Sequence, residues 1–442
     1  MMKKKKLLLI PLILSGLMCL TACDKVTEFF SELFDENAFS YSNVYNPPVS
    51  AGEPQPGPGD VVAGGVIAKE AEETPNAYCF KNISYATNDS IPNTYKTGGA
   101  NANEFNVNDN QDYPGSKYDN NFDLYVPKSL AKNQKHTVIL FIHGGAWISG
   151  FKTDVNSYVH AFANKGYITA TIKYTLLEKS MSDRSLSIFR DLDEIDACIS
   201  SIKTALEDLE FDTSKTNLVV GGASSGAHLA MLYSYSRGQR SPLPIRFVID
   251  AVGPVDIKPA NWKRFNNMSP EEYETALDNG LGYTAIENER AADHLDPLRV
   301  ADNSGESYDW NEYQTMRIAN GMCGIPYAVS DVEASTNEEK AEIITPNTAS
   351  NAMTKAGGGE DQLSVTYWMN NTTNRFPIIC AYAGKDAIVG VAQYAALENA
   401  LNTLSIEKEF FYFRDRGHMD LDKDETNYNA FVNKINDWCS SL

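Results

Sequence analysis

The chain has 442 residues, enough for one large domain with a substantial core and further material besides. Its composition is that of a globular protein, with 43% apolar and 22% charged side chains. A formal charge of −20 and an isoelectric point near 4.8 exclude a role on nucleic acid, whose phosphates would repel such a surface.

Residues 1–22 read as a processing signal. Lys3 to Lys6 form a positive start, and Leu7 to Leu20 form a 14-residue apolar core. That core is short against the roughly 20 residues a membrane-spanning helix needs. The segment closes with Leu20-Thr21-Ala22-Cys23, small residues before a cysteine, and so resembles a bacterial lipobox. The resemblance implies cleavage before Cys23, lipidation of Cys23, and an exported chain tethered to a membrane by that lipid. An ordinary secretory signal or an uncleaved anchor is the alternative, and Asp24 leaves the membrane leaflet open.

Residues 23–75 are expected to form a flexible tether, because Pro47-Pro48 and the Pro/Gly run from Glu53 to Asp60 cannot pack a core. The catalytic domain is expected over 76–442. Its first part, 76–117, is Asn-rich and reads as irregular cover with one or two edge strands. From Phe122 to Val126, apolar residues alternate with Asp123 and Tyr125, which predicts a half-buried strand ending at Pro127. Val138 to Ile142 is a continuous apolar run of strand length, as expected for a central strand covered on both faces. Ile168 to Ile172, Leu218 to Val220, Phe247 to Ala251, Ile378 to Tyr382 and Glu409 to Phe413 repeat that pattern.

Helices alternate with these strands. The clearest carries Ile188, Leu192, Ile195, Ile199, Ile202, Leu206 and Leu209 at steps of four and three, and the last spans about Asn427 to Trp438. Alternation of this kind predicts an α/β fold, a mostly parallel sheet with helices on both faces. Between Ile257 and Phe376 the alternation stops. This stretch holds 19 acidic against 9 basic side chains and several aromatics, among them Trp262, Tyr273, Tyr283, Trp310 and Trp368. A structureless loop of that length is improbable inside a compact domain, so 257–376 reads as an inserted lid.

Of seven cysteines, Cys19 leaves with the signal and Cys23 would carry lipid. The other five are scattered without Cys-x-x-Cys or His neighbours, so no metal site is expected. Cys198 and Cys380 fall on apolar faces and read as small core residues. Disulfides among the others stay open, as does the oligomeric state.

The chemistry gathers around Gly222-Ala223-Ser224-Ser225-Gly226. An apolar run leads in and a helix-forming run, Ala227 to Tyr235, leads out: strand, sharp turn, helix, with Ser224 at the apex. Such an elbow lifts a hydroxyl clear of the sheet and is the context in which Gly-x-Ser-x-Gly marks a nucleophile. A serine nucleophile needs a base, a group that orients the base, and N–H donors for the developing oxyanion. His418, on the loop after the strand Glu409 to Phe413, is the candidate base. His228 is expected to anchor a neighbouring loop instead, and His136, His160 and His294 lack an active-site context. Asp386 directly follows the strand Ile378 to Tyr382 and is the candidate orienting acid, ahead of Asp256 and Asp420. Gly144 and Gly145, at the end of the central strand, leave backbone N–H groups bare; with the N–H of Ser225 they make a candidate oxyanion hole. His143 would orient that loop.

With these residues assembled, the chain resembles the α/β-hydrolase fold, specifically the esterase/lipase group related to hormone-sensitive lipase and small carboxylesterases. The resemblance covers about Tyr118 to Leu442. It rests on His143-Gly-Gly-Ala-Trp147, Gly221-Gly-Ala-Ser-Ser-Gly-Ala-His-Leu-Ala230, Gly384-Lys-Asp386 and Gly417-His418. It implies a Ser224–His418–Asp386 triad, an oxyanion hole at Gly144, Gly145 and Ser225, no cofactor, and a small-molecule or carbohydrate ester as substrate. Ala146 stands where many lipases carry a third Gly, and Thr175 where relatives usually carry Arg. Amidases of the arylformamidase type, peptidases and polysaccharide deacetylases use the same triad. A surface binding protein on an inactive hydrolase fold is the rival of another class, which intact triad candidates disfavour.

Overall fold

The computed structural model describes residues 59–87, 119–147, 150–174, 188–256, 298–301, 307–310, 360–384, 386, 389–418 and 420–442. The signal segment, Cys23, most of the tether and most of 257–376 lie outside them, as do His294, Thr175 and Cys323.

Eight strands build one sheet. In chain order the described strands are β1 (Val62–Ala63), β2 (Val66–Ile67), β3 (Ala77–Thr87), β4 (Asp119–Pro127), β5 (His136–Ile142), β6 (Ile168–Ile172), β7 (Thr216–Ala223), β8 (Ile245–Ala251), β9 (Leu298–Ala301), β10 (Ser307–Trp310), β11 (Ile378–Ala383) and β12 (Lys408–Phe413). The main sheet runs β12-β11-β8-β7-β5-β6-β4-β3, while β1–β2 and β9–β10 are separate two-stranded pairs. All pairings from β6 through β5, β7, β8 and β11 to β12 are parallel; β4 pairs antiparallel with both β6 and β3. This is the mostly parallel sheet that the alternation predicts, with an antiparallel flank.

Helices cover both faces: α1 (Asn156–Asn164), α2 (Ile188–Asp208), α3 (Ser225–Arg237), α4 (Val365–Asn371), α5 (Val391–Thr403) and α6 (Glu425–Ser440). The period of two along each strand decides which cluster a residue joins. On β5, Val138, Leu140 and Ile142 join the core beneath α2, α3 and α5, whereas Ile139 and Phe141 join the core beneath α1 and α6. Both sets are fully buried. Each buried aliphatic side chain contributes about 1.5–3 kcal/mol, and a slip of one residue would exchange the two faces, so register is firmly specified. The predicted stripe is buried from Ile188, at 0% exposure, along α2 to Leu209, at 9% and one residue past the helix end. Cys198 and Cys380 are buried in the core, and Cys79 and Cys439 are free and buried.

Three expectations need correction. The spacer ends before residue 75: β1 and β2 form a hairpin, Ala63 is buried, and the Gly64 N–H donates to Asp208 Oδ2 at 2.9 Å. Val61, Ala63 and Val66 supply enough apolar surface to dock on the domain once the prolines are past. The edge strand expected within 76–117 is β3, eleven residues at the end of the sheet, broken by two register shifts against β4. The insertion closes earlier than residue 376, since Leu363, Val365 and Met369 lie in the main core. β4, expected to be half-buried, is covered on both faces, with Asp123 at 1% and Tyr125 at 0% exposure. Its polar face is covered because Lys152, just ahead of α1, brings an ammonium to meet Asp123.

Candidate active site

The elbow is formed by close packing at two glycines. A Cβ on Gly222 would sit 2.3 Å from the Gly226 carbonyl, and one on Gly226 would sit 2.2 Å from the Ile142 carbonyl oxygen. Only bare backbone lets β7, α3 and β5 approach this closely. Between them Ser224 adopts φ 55°, ψ −125°, a conformation that a residue with a side chain adopts at a cost of about 1–3 kcal/mol. The Ser224 N–H donates to the Ala251 carbonyl at 2.8 Å, and the His228 N–H donates to the Ser224 carbonyl at 3.1 Å, so the strained residue is held from both sides.

Strands β11 and β12 deliver the other two side chains. Gly384, just past β11, donates its N–H to the Phe413 carbonyl at 2.9 Å; a Cβ there would meet the Arg414 carbonyl oxygen at 2.3 Å. The two loops therefore run in contact. His418 Nδ1 lies 2.7 Å from Asp386 Oδ2, and His418 Nε2 lies 2.9 Å from Ser224 Oγ. With an ionised carboxylate accepting at Nδ1, that nitrogen carries the proton and Nε2 is left to accept the hydroxyl proton of Ser224. The Asp386 side chain is 0% exposed and that of His418 is 7% exposed. The second carboxylate oxygen of Asp386 accepts the Val389 N–H at 2.8 Å, which fixes its plane.

The rival acids are engaged elsewhere. Asp256 Oδ1 accepts from the Ser364 hydroxyl at 2.7 Å, and Gln393 Oε1 accepts the Val255 and Asp256 N–H groups at 2.7 and 2.8 Å. Asp420 pairs with Lys423.

The loop after β5 lies against the elbow. A Cβ on Gly144 would come 2.9 Å from the Ala223 carbonyl oxygen and 3.1 Å from Ser224 Cβ, so the bare backbone of Gly144 faces the hydroxyl-bearing residue. Gly145 has φ 115°, and Ala146 and Trp147 follow at φ 51° and 64°. Three consecutive left-handed residues turn this segment sharply. Ser225 opens α3, where backbone N–H groups have no partner within the helix. Gly144 thus packs directly against Ser224, and Ser225 follows it at the head of α3.

His143 holds the loop from beneath. Its ring stacks on Tyr174 at 4.3 Å, its Nδ1–H donates to the Gly144 carbonyl at 2.7 Å, and the Tyr174 hydroxyl donates to the His143 carbonyl at 3.1 Å. Burial lowers its pKa to about 4, so the ring is neutral and cannot shuttle protons near pH 7. His228 is lowered to about 4 for the same reason. It donates from Nε2 to the Leu363 carbonyl at 2.8 Å and meets Trp147 edge-on at 5.4 Å, the anchoring role expected of it. His136 binds the Ala131 carbonyl and His160 the Tyr125 hydroxyl, both away from Ser224.

Several buried acids escape sequence reasoning, Asp250 and Asp123 among them. Asp250, on β8 beside the elbow, accepts the Gly253 N–H at 2.8 Å, and burial raises its pKa to about 7. Asp123 lies at the centre of a polar cluster with Lys81 and Lys152; burial pushes the Lys152 ammonium below its usual range. In an alternating strand, a single Asp is indistinguishable from a solvated residue. Only the partner, far along the chain, reveals it.

Comparison with known proteins places this geometry in context. Residues 122–306 match the family model BD-FAE, an α/β-hydrolase esterase family. The curated non-reducing polyketide synthase adrD of Penicillium roqueforti is 29% identical over 178 residues, which is 37% of this chain and 7% of that protein. The non-reducing polyketide synthase ausA of Aspergillus calidoustus is 28% identical over 144 residues, 32% of this chain and 6% of that one. The chain therefore spans a small fraction of the length of these relatives. Among solved structures, a truncated carbohydrate esterase from gut microbiota aligns over 84% of this chain and 99% of its own, at 13% identity and a TM-score of 0.48. Esterase B from Lactobacillus rhamnosis aligns over 84% and 88%, at 12% identity and a TM-score of 0.46.

Proposed function

Because residues 122–306 carry a BD-FAE domain on an α/β-hydrolase fold, we propose that the chain is a serine carboxylic-ester hydrolase working through an acyl-enzyme. The observation that carries this reading is the unbroken hydrogen-bonded line from Asp386 through His418 to Ser224 Oγ. Ser224 Oγ attacks the ester carbonyl while His418 Nε2 takes its proton, and Asp386 stabilises the imidazolium that forms. The N–H groups of Gly144, Gly145 and Ser225 receive the oxyanion; one such donor is worth about 3 kcal/mol in the transition state. His418 then returns its proton to the leaving alcohol. Water, deprotonated by the same imidazole, attacks the acyl-Ser224 carbonyl and releases the acid.

The strained backbone at Ser224 supports this reading, since strain of that size persists where the surroundings over-determine it, as at catalytic residues. An overall charge of −20 and the acidic stretch 257–376 favour neutral esters over polyanionic ones. The chain is further proposed to be exported and held at a membrane by lipid on Cys23. If so, Cys23→Ser moves it from the membrane to the soluble fraction.

A panel of p-nitrophenyl esters of increasing acyl length, set beside anilide substrates and acetylated xylan, tests the reaction class. Turnover of esters that is abolished in Ser224→Ala is the expected result. Faster turnover of anilides would move the assignment to the amidases. Release of acetate from xylan above all model esters would move it to the polysaccharide deacetylases. No turnover of any member by the folded wild type would favour a binding protein.

A further inference from the structure

We propose that the buried Lys152–Asp123 ion pair is a positioning device that holds the Gly144–Gly145 loop in register with Ser224. The inference rests on the hydrolase reading above and deepens it, by naming what fixes the oxyanion donors.

The pair touches none of the triad side chains in its own hydrogen bonds and is closely built. Lys152 is 3% and Asp123 1% exposed. The ammonium has three oxygen partners: Asp123 Oδ1 at 2.5 Å, Asn82 Oδ1 at 2.5 Å and Asn121 Oδ1 at 2.9 Å. Asp123 is equally well satisfied, accepting also from the Asn82 N–H at 2.9 Å and from Lys81 Nζ at 3.1 Å. Full desolvation of two charges rarely adds net stability, because their attraction must first repay the lost hydration. Such a pair is better explained by what it specifies than by what it stabilises.

What it specifies is set by chain connectivity. Asp123 and Asn121 sit on β4, and the register shift between Phe80 and Ile83 turns Asn82 on β3 toward the same ammonium, with Asn82 at φ 62°. Two residues before Lys152 comes Gly150, at φ 94°. Its backbone presses on the start of the loop: a Cβ there would lie 2.2 Å from the Gly144 carbonyl oxygen and 2.7 Å from His143 Nδ1. Gly144 in turn lies against Ala223 and Ser224. Contacts therefore run without a gap from the Asp123 carboxylate through Lys152 and Gly150 to Gly144, and on to the nucleophile. One end of the loop leaves the rigid strand β5; the other end is tied by Lys152. A loop whose end drifts by about 1 Å misplaces its N–H donors, and misplacement of that size costs about 100-fold in rate.

The test is the double variant Asp123→Asn/Lys152→Met, which removes both charges of the pair and leaves Lys81, the other cation on Asp123, to the solvent its 36% exposed side chain already meets. Its kcat and KM on a p-nitrophenyl ester are compared with wild type, together with the affinity of a trifluoromethyl ketone, whose hemiketal with Ser224 places an oxyanion in the hole. The expected result is a kcat lower by about 10- to 100-fold, a KM changed less than about threefold, ketone affinity reduced by the same factor as kcat, and a pH–rate profile of unchanged shape. A milder variant, Asn82→Gly, keeps the left-handed backbone and removes one ammonium partner; it should show the same coupled loss to a smaller extent. Wild-type kcat and ketone affinity in the folded variants would overturn the proposal, as would a loss confined to KM. Absence of turnover in the wild type itself would instead overturn the hydrolase reading, and this inference with it.

Discussion

Gly144 and Ser224 meet across the boundary between β5 and β7, with room for no more than a hydrogen on the glycine: a Cβ would stand 3.1 Å from Ser224 Cβ and 2.9 Å from the Ala223 carbonyl oxygen. Gly144→Ala must therefore push the loop away from the elbow. The expected outcome is a kcat reduced by about 100-fold or more, as for the loss of an oxyanion donor, together with about 1–3 kcal/mol of destabilisation from overpacking. Steady-state kinetics beside urea unfolding separates the two effects.

Asp386 and Asp256 both end parallel strands, but they face different partners, His418 and Ser364. Asp386→Asn is expected to lower kcat by about 10⁴-fold, because an amide presents the imidazole in the wrong tautomer while leaving its position intact. Asp256→Asn keeps an acceptor for Ser364 and should retain most of its turnover. Equal losses in the two variants would contradict the assignment of the acid.

His228 is neutral and buried, and it ties α3 to the segment ahead of α4 through the Leu363 carbonyl. His228→Ala leaves that carbonyl unpaired and is expected to cost about 1–3 kcal/mol for the carbonyl alone, more with the cavity. Denaturant midpoints measure the loss. Fluorophosphonate labelling of the folded fraction should persist, since this ring has no part in proton transfer.

Asp250 makes stability depend on pH in an unusual direction. Burial raises its carboxyl from the ordinary 3.8 to about 7, so between those values the folded chain binds a proton that the unfolded chain has released. Its contribution is complete below about pH 4 and is lost as pH rises through about 7, with an upper bound near 4 kcal/mol. Asp250→Asn keeps the acceptor for the Gly253 N–H and removes the titration. The difference in unfolding free energy between variant and wild type should therefore grow in favour of the variant from pH 4 to pH 8. A constant difference would contradict the buried, protonated carboxyl.

Much of this arrangement was legible in the sequence, because α/β sheets place loops at strand ends and the strands themselves are unmistakable apolar runs. Ser224, Asp386 and His418 each follow such a run, so chain order alone indicates that one sheet edge gathers them. Gly222 and Gly226 were legible for the same reason, as spacing around an elbow. What escaped depends on long-range pairing. Asp123 looks solvated until Lys152, 29 residues on, covers it. Val61 to Ile67 look like a continuation of a proline-rich spacer until they meet α2. Val365–Asn371 is short and follows an acidic, pattern-poor stretch, so only its packing on the core assigns it to the main body.

The central claim is that Ser224 carries a nucleophilic hydroxyl. Treating the folded protein with a fluorophosphonate and mapping the adduct by peptide mass spectrometry tests it most directly. One adduct per chain on Ser224, absent in Ser224→Ala and strongly slowed in His418→Ala, is the predicted result. A folded, unmodified wild type, or an adduct on another residue that survives Ser224→Ala, would contradict it.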